Sequence, residues 1–93
     1  MFLYILFSEK SKIYYVGITQ NLSKRLNEHN FTSVNSFTSK HRPWELKASF
    51  KCKNLEQAAW IEKYIKSQKS KKFIEDVLLG DRSHPLLELM TKT

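Results

Sequence analysis

The chain has 93 residues, 41% of them apolar and 13% aromatic, with sixteen Lys and Arg against nine Asp and Glu for a formal charge of +7. That is one small domain with a thin core. No apolar run approaches the roughly 18 residues that span a membrane, and the lone Cys52 excludes an internal disulfide and a cysteine-built zinc site.

Residues 1–8 are β-rich and almost uncharged, with Tyr4 and Leu6 on one face and Leu3, Ile5 and Phe7 on the other. They lack a basic leader and a small-residue cleavage site, so they do not read as a signal peptide. A half-buried Cys52 thiol suits a reducing compartment, and the cytoplasm is the expected location. Residues 9–12 form a polar break of hairpin length. Residues 13–18 are a second strand, with Ile13, Tyr15 and Gly17 on one face and Tyr14, Val16 and Ile18 on the other, pairing antiparallel with the first. Asn21 is a helix cap. Leu22, Arg25, Leu26 and His29 follow at helical spacing, which places Arg25 and His29 one turn apart on the flank of an apolar stripe.

Residues 30–43 carry no period and read as a loop of a length that is usually functional or mobile. Residues 44–52 alternate: Trp44, Leu46, Ala48, Phe50 and Cys52 share one face of a third strand. Asn54, with Gln57 three positions on, opens a second helix whose buried stripe is Leu55, Ala58, Ile61 and Ile65. Ser70 caps a third helix with Phe73, Ile74, Val77 and Leu78 on its apolar side, and Gly80 is a helix stop. Residues 81–93 form a tail or short helical turn after a domain at 1–80. The order ββ-α-β-α-α is α+β, a small antiparallel sheet packed by helices.

Five residues stand out: Tyr4, Tyr15, Arg25, His29 and Glu62. Two phenols, a guanidinium, an imidazole and a carboxylate suit the cutting of a phosphodiester with one metal ion. Each has a plainer reading. A strand tyrosine is usually a packing residue, Arg25 reads equally as a snorkelling arginine at the core rim, and a lone histidine is more often structural. Glu62 has a salt-bridge partner available in Lys66 at i+4. A carboxylate at the edge of buried surface also suits Mg²⁺, which takes one or two protein oxygens and leaves the rest to water and phosphate. The positive charge favours a polyanionic partner, or is a well-solvated basic face. Lys24, His41, Arg42, Lys66, Lys69, Lys71 and Lys72 are the candidate nucleic-acid contacts.

A tyrosine-ended strand, then Tyr15-Val16-Gly17 on a paired strand, then Asn21-Leu22-x-x-Arg25-Leu26-x-x-His29 on a helix resembles the GIY-YIG nuclease family. The stretch from Thr38 to Leu46, and Ala58-x-x-x-Glu62-x-x-Ile65-Lys66 after it, are similar to its small single-domain bacterial branch. The resemblance covers residues 1–79. It implies a three-stranded antiparallel sheet with flanking helices and a one-metal endonuclease dependent on Mg²⁺ or Mn²⁺, with DNA as partner and no membrane. By position Tyr4 and Tyr15 match the signature tyrosines, Arg25 the arginine, His29 a position that is His or Tyr in relatives, and Glu62 the metal carboxylate. A tyrosine, Tyr4 first, is the expected general base, its phenolate stabilised by Arg25, His29 and the metal. The first triplet is Phe-Leu-Tyr, so only its tyrosine carries over. Ile18 stands where some relatives have a lysine, and residues 70–74 hold none of the asparagine found in many. The alternative is a weakly active or inactive nucleic-acid-binding module on the same fold.

Overall fold

The computed structural model describes residues 1–32 and 36–78. Three strands, β1 (Phe2–Ser8), β2 (Ile13–Thr19) and β3 (Trp44–Lys51), make one antiparallel sheet in the order β2-β1-β3. The most apolar strand, β1, is therefore central and buried on both faces, as its lack of charged residues requires. The turn between β1 and β2 closes as expected, with the Lys12 amide donating to the Ser8 carbonyl at 2.7 Å. In this register Tyr4 lies opposite Gly17 and Leu6 opposite Tyr15.

All three helix starts read from the sequence are capped. Asn21 accepts from the Lys24 amide at 3.1 Å to open α1 (Leu22–Asn27), and Asn54 accepts from the Gln57 amide at 2.8 Å to open α3 (Leu55–Ser67). Ser70 Oγ accepts from the Phe73 amide at 3.1 Å ahead of the last described helix, Lys71–Leu78. One core cluster joins Leu3, Ile5 and Val16 of the sheet to Ala58, Ile61 and Ile65 of α3 and to Val77. The opposite sheet face carries a second cluster, Tyr4, Leu6 and Trp44, packed by Tyr15, Leu22 and Leu26. The sheet is thus covered on both sides; of the five singled-out residues Tyr4 and Tyr15 lie in the sheet itself, and Arg25, His29 and Glu62 on the helical segments that flank it.

Four expectations need correction. The single apolar face of the third strand does not exist, because the register slips between Ile5 and Leu6: Ile5 pairs with Ala48 but Leu6 with Leu46. The bulge leaves Lys47 without a paired position and sends Trp44 and Leu46 to the Tyr4 side, while Ala48 and Phe50 stay on the α3 side. Leu55 is 58% exposed rather than buried, since it sits at the first position of α3, before the helix meets the sheet. Cys52 is fully rather than half buried, and burial pushes its thiol pKa up. The expected loop at 30–43 is also largely helical where described. A π-helical turn at Glu28–Thr32 continues α1, and a short helix, α2 (Ser36–Lys40), precedes β3; the last described helix, Lys71–Leu78, is α4. These turns lack apolar periodicity because side-chain-to-backbone bonds hold the segment instead. The Asn30 side chain accepts from the Trp44 amide at 2.5 Å and donates to the Trp44 carbonyl at 3.0 Å, and the Trp44 indole donates to the Thr38 carbonyl at 2.9 Å. Gly80 and the expected tail at 81–93 lie outside the described residues.

Candidate active site

The centre of the candidate site is the Tyr4 hydroxyl. Tyr4 is 2% exposed, and its oxygen lies 2.9 Å from Nε2 of His29, itself 4% exposed. Two features of the chain make this contact possible. The first is Gly17, directly across the sheet. A Cβ built there would collide with the Tyr4 hydroxyl and come within 2.6 Å of its Cζ, so the ring lies flat over a position only glycine leaves open. Glycine inside a strand is the signature of such a close approach, and this was the signal available in the sequence. The second is the π-helical turn, whose i→i+5 bonding takes more residues per turn and so changes the angle at which residues after Asn27 project. Arg25 and His29 consequently do not share one environment as a regular helix would have it: the Arg25 side chain is 47% exposed while His29 is buried. Arg25 sits at the rim of the core, half exposed with its guanidinium reaching the buried Tyr4 phenol.

Tyr15 completes the aromatic group, its ring centroid 4.9 Å from His29 in edge-on contact and 6.3 Å from Tyr4. Trp44 and Phe37 pack beside Tyr15 at 5.9 and 6.3 Å. Arg25 reaches the Tyr4 phenol from α1 and also meets Glu28 at 3.4 Å in an exposed pair that contributes little stability. Glu62 comes from α3, whose buried stripe covers the other sheet face. Its 24%-exposed carboxylate lies 3.4 Å from Lys66, and Lys66 in turn sits over the Tyr15 ring at 5.8 Å. Glu62 is also close enough to oppose ionisation of Tyr4. The i+4 partner foreseen for Glu62 is thus real, and the same lysine ties the carboxylate to the tyrosines.

Charge states follow from burial. Desolvation pushes the Tyr4 phenol up to about 12, and the opposing hydrogen bond and charge of Arg25 do not overcome it. Arg25 does favour the Tyr4 phenolate, as expected of a cationic neighbour, but in the free protein burial outweighs it. Burial first, and then the Arg25 charge, hold His29 below its ordinary value, so the imidazole is neutral at pH 7. Its Nδ1 is buried with no hydrogen-bond partner among the described residues.

The basic residues are spread over separate parts of the surface. Arg42 Nε donates to the His29 carbonyl at 2.6 Å and its guanidinium to the Glu28 carbonyl at 3.4 Å, so it holds the π-helical turn closed. His41 Nδ1 meets Ser11 Oγ at 2.6 Å and packs on Phe37. Lys24 joins Arg25 and Glu28 around a polar pocket of about 340 Å³. Lys66, Lys69 and Lys71 border a groove along β2, and Lys72 is exposed on α4. Asn30 and Phe37 were not singled out in the sequence, since the partners that give them meaning are brought near only by the fold.

An α+β domain that buries a phenol against a neutral imidazole, with a guanidinium and a carboxylate at hand, is equipped for chemistry on a phosphate. The chain belongs to the GIY-YIG catalytic domain family, which it matches over residues 1–74, and is therefore a member of a nuclease family. Nucleases of this family generally depend on a divalent metal ion. No curated protein and no solved structure matches the chain. No helix among the described residues is long and apolar enough to cross a membrane.

Proposed function

We propose that the chain is a metal-dependent endonuclease of the cytoplasm that hydrolyses DNA phosphodiesters at Tyr4, Tyr15, Arg25, His29 and Glu62. The observation that carries this reading is the Tyr4 hydroxyl, buried and 2.9 Å from a neutral imidazole. A phenol at about 12 is a poor base by itself. Donating its proton to Nε2 of His29 while taking one from a water removes that difficulty, because the phenolate never accumulates. The tautomer this needs carries its hydrogen on Nδ1. Tyr15, edge-on to His29, holds the imidazole in line. Arg25 leaves its weak surface pair with Glu28 to meet the non-bridging phosphate oxygens, where a planar fork of donors matters most.

The residues present fit a hard divalent ion such as Mg²⁺ or Mn²⁺. No group of three ligating side chains is gathered among the described residues, and a single half-buried carboxylate, Glu62, suits an ion that keeps water and substrate oxygens in its shell. Such an ion, when bound, neutralises charge at the phosphate and the leaving oxygen. Lys66, paired with Glu62, is placed to take up the backbone phosphate beside it.

The test is nicking of supercoiled plasmid with Mg²⁺ or Mn²⁺ against EDTA. Wild type nicks in the presence of metal, Glu62→Gln does not, and Tyr4→Phe is nearly as inactive as Glu62→Gln. Equal nicking by wild type and Glu62→Gln would refute the assignment. Binding without nicking by wild type favours the inactive-module reading, to which Ile18 and the missing asparagine at 70–74 lend weight.

A further inference from the structure

A groove of about 450 Å³ runs along the free edge of β2, outside the catalytic cluster but sharing Tyr15 with it. That volume lies in the range of small-molecule sites, about 300–1,000 Å³. Its lining includes Lys12, Lys66, Lys69 and Lys71 and no acidic residue, and its surface is otherwise mainly apolar. Phe37, 47% exposed, packs beside Tyr15 at one end, the ring centroids 6.3 Å apart and the planes at 34°. Two aromatic rings beside an apolar floor, rimmed by four lysines of which Lys12 also meets Glu9 and Lys66 meets Glu62, suit a nucleobase with its phosphates.

Backbone conformation adds an independent observation. The non-glycine residues with positive φ among those described are Lys12, at 56°, and Lys69, at 48°. Both line this groove, one from the hairpin turn and the other from the α3–α4 connection. Left-handed backbone costs a lysine on the order of 1 kcal/mol, and glycine or asparagine would sit there with less strain. The fold nevertheless places a cation at each.

We propose that this groove binds one unpaired nucleotide of a DNA strand, its base stacked at Tyr15 and Phe37 and its phosphates on the lysine rim. The inference rests on the nuclease reading and deepens it: the preferred substrate is DNA at a junction between paired and unpaired strands. Because Tyr15 belongs to both sites, a nucleotide seated in the groove presents its neighbouring phosphodiester to Tyr4 and Arg25.

The experiment uses the intact chain in EDTA, where no cleavage occurs, and two duplexes of equal length. One is blunt; the other carries a single-nucleotide flap of 2-aminopurine. Wild type binds the flap duplex about tenfold more tightly, in line with the strength of one base–aromatic stack, and quenches its emission. Phe37→Ala removes the quenching and brings the flap-to-blunt ratio to about one. Lys12→Asn with Lys69→Asn keeps residues that tolerate left-handed backbone while removing two cations, and lowers flap affinity; circular dichroism verifies that both variants are folded. Equal affinity for the two duplexes without quenching overturns the groove assignment and leaves the nuclease reading standing. No binding to either duplex removes the nuclease reading itself. A dimer through the β2 edge that excludes the probe assigns the groove to a second copy of the chain and overturns the proposal.

Discussion

Gly17 and Tyr4 set the geometry of the site together, and the energetics at this scale are steric. Adding one methyl at Gly17 forces the Tyr4 ring away from its position over the strand, because the clash is with the ring and its hydroxyl. Overpacking of this kind costs about 1–3 kcal/mol. Gly17→Ala is therefore expected to lower the unfolding free energy measured in urea by that amount and to reduce nicking along with it; a variant as stable and active as wild type would show that the ring has room to move. His29 gives a pH dependence whose sign is fixed by burial. Its folded value lies below the ordinary 6.5, so on acidification the unfolded chain takes up the proton first. Stability from this group is complete above the unfolded value and falls as the pH drops below it toward the folded one. Thermal melts from pH 7.5 to 5 should show a steeper acid-side loss in wild type than in His29→Gln, and parallel losses would count against a buried neutral imidazole.

At the scale of elements, the segment between α1 and β3 is held by polar side chains bonded to backbone. Asn30 ties the π-helical turn to the first residue of β3 through both of its polar atoms. Asn30→Ala removes two hydrogen bonds and leaves the Trp44 amide without its side-chain acceptor, at a cost of about 1–3 kcal/mol. The expected outcome is a lower urea midpoint together with weaker nicking, since His29 sits on the same turn. Loss of stability with full activity would mean that His29 is positioned by other contacts. Arg42 acts on this turn as well, through the carbonyls of Glu28 and His29. Its candidacy as a nucleic-acid contact was drawn from charge alone, and its bonding gives it a structural duty besides.

For the whole molecule, a charge of +7 on 93 residues governs how the chain meets a polyanion. DNA affinity should fall linearly on a log–log plot against salt, with a slope of about −0.9 for each phosphate neutralised. Replacing Lys69, Lys71 and Lys72 by Ala is expected to flatten that slope by at most about 2.7, the value if all three contact phosphate. Fluorescence anisotropy of a labelled duplex at rising salt measures it. An unchanged slope would leave the three lysines as solvated surface, and a flat response in wild type would point to a partner other than nucleic acid.

What the sequence determined by itself was everything that local chemistry encodes. The Asn21, Asn54 and Ser70 caps each bond an amide three residues ahead. The turn at residues 9–12 pairs two β-rich runs, and the spacing of Ala58, Ile61 and Ile65 faces the sheet. The family was legible through the order of Tyr4, Tyr15, Arg25, His29 and Glu62 along the chain. Their geometry was not. Which face Trp44 occupies depends on a bulge at Lys47, and a single extra residue reverses every side chain on one side of it. The burial of His29 depends on a π-helical turn held by Asn30 and Arg42, whose partners lie 13 and 14 residues away in the chain. The protonation of Tyr4 in the free protein is set in the same way. Its charged neighbours could be counted in the sequence, but the desolvation that outweighs them is a property of the packed interior, and only the tertiary structure creates one.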